Sequence, residues 1–278
     1  MKTLTTLPTE GQTLILRSDE SRKRKDQTKK RPRVHEKIQA FHRESLNGVI
    51  SPILRLKINR SLCNFKCEHC CEEPYMSRDL KARTGAIDPR KQMEIADYAE
   101  LSRQADDYGI FRFVLTGGEA LIMKNLDELI EAVDPYKHLV ILDTNGWTFD
   151  EERAKWFADI GGYKAQISLD SYVEAEHDSF RNKPGSYKRV MKAITASKKA
   201  GLELLLSTCI VKDRVFSQEF SDFMKFCQDD DVPLYVTLAK PVGSAREHDE
   251  WVVTKRDVDR LKALEDEFDI FTHMSPSY

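Results

Sequence analysis

From Pro52 onward, short apolar runs alternate with stretches whose apolar residues recur every three or four positions. The runs Ile53–Ile58, Phe111–Leu115, Leu139–Leu142, Ala165–Leu169, Leu204–Val211 and Leu234–Leu238 are rich in β-formers and read as strands. The stretches near Arg90–Tyr108, Leu126–Val133, Glu151–Ile160, Tyr187–Ala200, Gln218–Gln228 and Lys255–Phe268 read as amphipathic helices. This alternation predicts βα units around a parallel sheet, an α/β fold. Six units fall short of an eight-stranded closed barrel and suit an open, partial (β/α)6 barrel. No tandem repeat accompanies the alternation.

Residues 1–50 break the pattern. Arg22-Lys23-Arg24-Lys25 and Lys29-Lys30-Arg31 lie in a polar stretch with little to bury, which predicts a flexible basic arm. Such an arm also suits docking to RNA, an acidic redox partner or an acidic substrate. The expected organisation is an arm over 1–50, a barrel over 51–245 and a C-terminal helical segment over 246–278.

Composition narrows the class. The chain has 278 residues, 40% hydrophobic and 32% charged, enough for a soluble core that folds unaided. A net charge of -2 exerts no global pull on nucleic acid, so that partner is expected only through the basic arm. No run approaches the roughly 20 apolar residues that span a bilayer, and Met1–Pro8 holds no apolar run of signal length. The expectation is a cytoplasmic protein with no membrane partner.

Chemistry concentrates in the cysteines. Four of 6 fall within one short stretch, at Cys63, Cys67, Cys70 and Cys71, whereas a disulfide framework would spread them along the chain. Cys63-Asn64-Phe65-Lys66-Cys67-Glu68-His69-Cys70 follows the first strand with C-x3-C-x2-C spacing. Close thiolates let one loop wrap one iron–sulfur cluster. Three ligands on a four-iron cluster leave one iron open to a small chelating molecule. The alternative is a zinc knuckle with Cys71 or His69 as fourth ligand; zinc sites usually draw on two separated pairs, and no second pair is present. Cys209 and Cys227 read as buried small hydrophobes and Cys71 as a packed thiol beside the loop.

Polar residues collect at the strand ends, where barrel enzymes place their sites. Gly117-Gly118-Glu119 follows the second strand: the glycines permit close backbone approach, and the carboxylate suits an ammonium group. Asn145 sits in Thr144-Asn145-Gly146 after the third strand, a combination that elsewhere is simply a turn. Ser168 and Asp170 follow the fourth strand and suit ribose hydroxyls. Thr208 and Lys240-Pro241-Val242-Gly243 complete the mouth by position alone.

Together these residues resemble the radical S-adenosylmethionine (SAM) superfamily. The resemblance covers roughly residues 52–245. It implies that Cys63, Cys67 and Cys70 hold a [4Fe–4S] cluster, that SAM chelates the fourth iron, and that Gly117, Gly118 and Glu119 hold the SAM amino group. Phe65, His69, Asn145, Ser168 and Asp170 are assigned to the SAM site on the same basis. Ala120 stands where the family usually has proline, and His69 where it usually has an aromatic. The run Ser168-x-Asp170, His177-Asp178-x-x-Arg181, Gly185-Ser186-Tyr187 resembles the peptide-modifying and alcohol-dehydrogenating (SPASM/twitch-type) branch, whose Arg181 counterpart would pair with the SAM carboxylate; a surface ion pair is the plain alternative. His177 and Asp178 are read as structural. Relatives of that branch often continue into a cysteine-rich extension, and no cysteine follows Cys227. The implied activity is reductive SAM cleavage, with the 5′-deoxyadenosyl radical abstracting hydrogen from a peptide or a small alcohol or sugar. The implied electron donor is flavodoxin or ferredoxin. The competing reading is a metal- or cluster-stabilised nucleic-acid-binding protein without radical chemistry.

Overall fold

The computed structural model describes residues 31–44, 53–59, 62–71, 93–265, 267–268 and 270–272. Seven strands form one sheet in sequential order: β1 (Ile53–Lys57), β2 (Arg112–Thr116), β3 (Leu139–Thr144), β4 (Lys164–Ser168), β5 (Glu203–Ile210), β6 (Leu234–Leu238) and β7 (Ile270–Thr272). Every neighbouring pair is parallel, and among the described residues β1 does not pair with β7, so the barrel is partial and open. The six expected strands are present within one or two residues. The seventh adds to the expected count and lies in the stretch read as a helical segment.

Helices α2 (Ile95–Asp107), α3 (Leu126–Ala132), α4 (Glu151–Asp159), α5 (Glu174–Phe180), α6 (Ser186–Lys199), α7 (Gln218–Asp229) and α8 (Lys255–Glu265) connect or follow the strands. Asp150 accepts from the Arg153 amide at the start of α4, and Ser217 from the Phe220 amide at the start of α7, satisfying donors that a helix start leaves open. The start of α6 is capped from a distance: the Asp178 carboxylate accepts from the amides of Gly185 (2.5 Å) and Tyr187 (2.8 Å) and the Ser186 hydroxyl (2.8 Å). This is the structural role expected for Asp178.

Alternation along each strand divides the two faces. Leu56, Phe113, Leu115, Val140, Leu142, Ala165, Ile167, Leu204, Leu206, Leu234 and Val236 join one core with helix residues such as Leu129, Phe157, Ile194 and Phe223. The intervening positions, Arg55, Asp143, Gln166, Ser168, Ser207 and Thr237, turn to the concave side.

The basic arm needs correcting over its described part. Pro32–Glu44 is a helix, α1, with Val34 and Ile38 buried against Phe111 and Leu139 at the starts of β2 and β3. Phe41 meets Phe111 edge-on, with centroids 5.9 Å apart. Arg31, the last residue of the second basic run, is 7% exposed and donates to the carbonyls of Pro135 and Gly161. Lys37 is equally enclosed and donates to the carbonyls of Ile110 and Lys137 while pairing with Asp106. Burial pushes the Lys37 ammonium below its usual range, against the pull of Asp106. These cations anchor α1 under the floor of the barrel and are not available to an outside anion. Residues 22–30 lie outside the described residues, as does the start of the stretch expected as a helix from Arg90. Among the described residues, no helix is long and apolar enough to cross a membrane.

Candidate active site

Three loops meet at the carboxyl ends of β1 to β3. The cysteine loop follows β1 and places Cys63, Phe65 and Cys67 in one buried group, with Cys70 and Trp147 packed against it. Polar donors point at the sulfurs. The Phe65 amide donates to Cys63 Sγ at 3.4 Å, Asn145 Nδ2 lies 3.9 Å from the same sulfur, and Arg181 Nη1 lies 3.9 Å from Cys67 Sγ. Donors around sulfur stabilise thiolate, the form that binds iron. Without metal, burial pushes the Cys63 thiol up to about 12 and raises that of Cys67 against the pull of Arg181, so loading must displace protons. Among the described residues, no three His, Cys, Asp or Glu side chains draw together tightly enough for a single metal ion; cysteines of a polynuclear cluster bind different irons. Cys209 and Cys227 are buried as expected, but Cys71 is exposed rather than packed.

The loop after β2 is joined to the segment after β1 through Asn59, which no motif flagged. Asn59 Oδ1 accepts from the Gly118 amide at 3.0 Å, and its Nδ2 donates to the Glu119 carbonyl. Gly117 has φ 144°, a conformation that favours glycine, and a Cβ there would push on Asn59 Oδ1 and so on its bond to Gly118. Glu119 is 1% exposed. Its Oε1 accepts from Thr144 Oγ1 (2.7 Å) and the Leu121 amide (3.2 Å), and its Oε2 from the Asn145 amide (2.8 Å). Burial raises its pKa, and these donors oppose that rise. A buried, pre-oriented carboxylate of this kind suits a cationic ligand.

Asn145 ties the third loop to the first. Its Nδ2 donates to Asn64 Oδ1 at 2.7 Å and its Oδ1 accepts from the Trp147 amide at 3.0 Å. Trp147, also unflagged, meets Phe65 edge-on at 5.7 Å and carries Lys183 Nζ over its ring at 4.4 Å. Phe65 is therefore packed between the cysteines and Trp147. The His69 ring stacks flat on Phe180, with centroids 4.1 Å apart, and burial pushes its pKa down to about 4.

After β4, Asp170 and Arg181 form a buried pair at 2.5 Å. Asp170 Oδ1 also accepts from the Cys209 amide at 3.0 Å, and the Asp170 amide donates to His177 Nδ1 at 3.1 Å. Both carboxylate oxygens thus have protein partners, where ribose hydroxyls were expected. Burial alone would raise the Asp170 pKa; the Arg181 guanidinium outweighs it and holds the group well below the carboxylate range. Arg181 is not at the surface: its side chain is 11% exposed. Ser168 ends β4 in register with Ser207 of β5.

This meeting of three cysteines, a buried glutamate and a strand-end asparagine on an open parallel barrel has a counterpart among known proteins. The Radical SAM superfamily profile matches residues 61–227. The chain belongs to the radical SAM superfamily. Its cofactors are a [4Fe–4S] cluster and SAM, and the donors around the Cys63 and Cys67 sulfurs, with Cys70 packed beside them, fit such a cluster. The chain is 27% identical over 199 residues to the AdoMet-dependent heme synthase of Nitratidesulfovibrio vulgaris, covering 70% of this chain and 51% of that one. It is 29% identical over 188 residues to the GTP 3′,8-cyclase of Helicobacter pylori, covering 67% and 54%. It spans about half the length of these curated relatives. In fold it is similar to SuiB of Streptococcus suis bound to the precursor peptide SuiA (TM-score 0.64, 14% identity, 86% of this chain and 53% of that one). It is also similar to anSMEcpe with bound AdoMet and a peptide (TM-score 0.59, 19% identity, 77% and 59%).

The glutamate offers a direct test of cofactor placement. Glu119→Gln keeps the shape but removes the charge, and its amide would face the donor of Asn145 or Thr144. SAM binding is expected to weaken tenfold or more, about 1.5–3 kcal/mol, with iron content unchanged. Equilibrium dialysis of reconstituted protein measures it; unchanged affinity would place the SAM amino group elsewhere.

Proposed function

We propose that this barrel cleaves SAM reductively and directs the resulting radical at a substrate held in the concave mouth. The observation that carries this reading is the direct linkage of cluster loop and SAM loops: Asn145 bonds Asn64 in the one and fixes Glu119 in the other. Cys63, Cys67 and Cys70 would hold the cluster. When bound, it supplies the electron that splits SAM into methionine and a 5′-deoxyadenosyl radical, which takes hydrogen from a substrate carbon. Glu119 accepts from the SAM ammonium. Arg181 has five N–H donors, so Asp170 and Cys67 do not exhaust it, and the remainder would serve the SAM carboxylate. Phe65 and Trp147 keep water from the inner side of the loop. Gly117, Gly118, Ser168 and His69 complete the proposed SAM site.

The substrate reading is a peptide or a small alcohol or sugar. The likeness to peptide-bound SuiB and anSMEcpe supports a peptide, as does the run from Ser168 to Tyr187 of the peptide-modifying branch. The concave side supports a polar group on that substrate. Arg55 of β1 reaches Asp143 of β3 at 2.7 Å, and Asp143 Oδ1 is buried without a hydrogen-bond partner. Burial pushes the Asp143 pKa up to about 6 despite Arg55. The electron donor would be a flavodoxin or ferredoxin.

The test is anaerobic reconstitution with iron and sulfide, reduction with dithionite, and mass-spectrometric assay of 5′-deoxyadenosine after SAM addition. Production supports the reading. A reducible cluster protein that forms none with SAM and candidate peptides opposes it.

A further inference from the structure

The loop after β6 runs through Lys240-Pro241-Val242-Gly243 at the barrel mouth. Its backbone lies against the cysteine loop. The Ser244 amide donates to the Cys70 carbonyl at 2.8 Å. Gly243 has φ 65°, in the left-handed region that disfavours side chains. Independently, a Cβ built on Gly243 would run into the carbonyl oxygens of Cys70 and Cys71 and the carbonyl carbon of Cys71. All three lie inside the 3.0 Å that real Cβ atoms essentially never cross. The obstacle is backbone, so no rotamer change relieves it. The short 3-10 turn Gly243–Glu247 that carries both groups is anchored by Ala245, which is 1% exposed.

We propose that Gly243 and Ser244 form a clasp that sets the position of Cys70, the third cluster thiolate; this rests on the cluster reading of the cysteine loop. Cys63 and Cys67 are buried and held by Phe65, Asn145 and Arg181. Cys70 is more exposed. Its amide donates to the Cys67 carbonyl at 3.3 Å, and the clasp closes the loop from the other side. Gly243 and Ser244 meet the backbone of Cys70 and Cys71 and act through it, so they are positioning residues. The clasp begins five residues beyond Leu238, the carboxyl end of β6, and so ties the loop after that strand to the cluster loop.

The experiment loads wild-type, Gly243→Ala and Gly109→Ala chains with iron and sulfide anaerobically. It then measures iron per chain and the cluster midpoint potential without SAM. Gly109 has φ 75° but nothing within 4 Å of a built Cβ, so its alanine carries the backbone strain without the collision. Wild type and Gly109→Ala are expected to hold about four irons. Gly243→Ala is expected to hold less than about half of that, or to shift the one-electron reduction equilibrium at least tenfold, about 59 mV. If circular dichroism shows Gly243→Ala unfolded, Ser244→Pro serves instead. It deletes the amide that reaches Cys70 at a first-turn position that tolerates proline, and the same shift is expected. Wild-type iron and potential in whichever variant is folded overturns the clasp. Absence of iron from the wild type overturns the cluster reading, a separate result.

Discussion

Cys67→Ala is expected to yield a folded chain that binds little iron and forms no 5′-deoxyadenosine above background. Three thiolates are the only protein ligands that the family pattern assigns to the cluster, so removing one opens a second iron and leaves two anchors. The loss is chemical rather than structural. The side chain packs with Cys63 and Phe65 in a small buried group, apart from the main core, and trimming one sulfur there costs about 1 kcal/mol. Cys227→Ala is the matched control. Its thiol is 3% exposed within the main core, and burial pushes it up to about 12, which makes it an inert packing group. It should lose similar stability and keep full iron and SAM cleavage. Parallel iron assays and deoxyadenosine measurements decide it. A Cys67→Ala chain with wild-type iron would remove this cysteine from the ligand set.

The fold was legible where burial patterns are long and unmixed. The strands of the central sheet stand out because apolar residues such as Phe113-Val114-Leu115 and Leu204-Leu205-Leu206 meet packing on either side. The seventh strand is three residues long and pairs with β6, too short for alternation to register. Helix α1 carries Val34, Ile38 and Phe41 at helical spacing, but the charge around them read as solvated. Burying Arg31 and Lys37 works only because four backbone carbonyls wait below them, and no local pattern shows that. Helix α5 went unread because Ala175 and Phe180 are its only apolar residues, too few to draw a stripe. At the site, the cysteines and Gly117-Gly118-Glu119 were visible because spacing and strand-end position are properties of the chain. Asn59 and Trp147 were not, since each works through a contact with a distant loop. A positional signal was present for both, Asn59 just past the end of β1 and Trp147 two residues beyond Asn145, but position alone names no contact.

Breaking the Asp170–Arg181 pair from the arginine side is expected to destabilise the metal-free chain by about 3–5 kcal/mol at pH 7. Arg181→Met fills similar space but leaves a carboxylate in a site where it is 1% exposed. Its remaining partners, the Cys209 amide at 3.0 Å and the Thr208 hydroxyl at 3.5 Å, are neutral. The pH dependence follows from the direction of the shift. In the wild type, Asp170 is held below its unfolded value of about 3.9. The pair therefore contributes fully above that value and is lost as pH falls through the folded pKa. In Arg181→Met, burial dominates and lifts the Asp170 pKa above the unfolded value. The deficit is then largest at neutral pH and shrinks on acidification, as the buried group takes up a proton. Urea unfolding of both chains from pH 7 down to about pH 4 measures the difference. Asp170→Asn/Arg181→Met should recover most of the loss, because no buried charge remains. A deficit under about 1 kcal/mol that is independent of pH would mean that Asp170 is not confined as described, and would return Arg181 to SAM alone. The expected result makes Arg181 a residue with two tasks. It neutralises Asp170 so that the end of β4 can be buried, and that same bond holds its Nη1 beside Cys67.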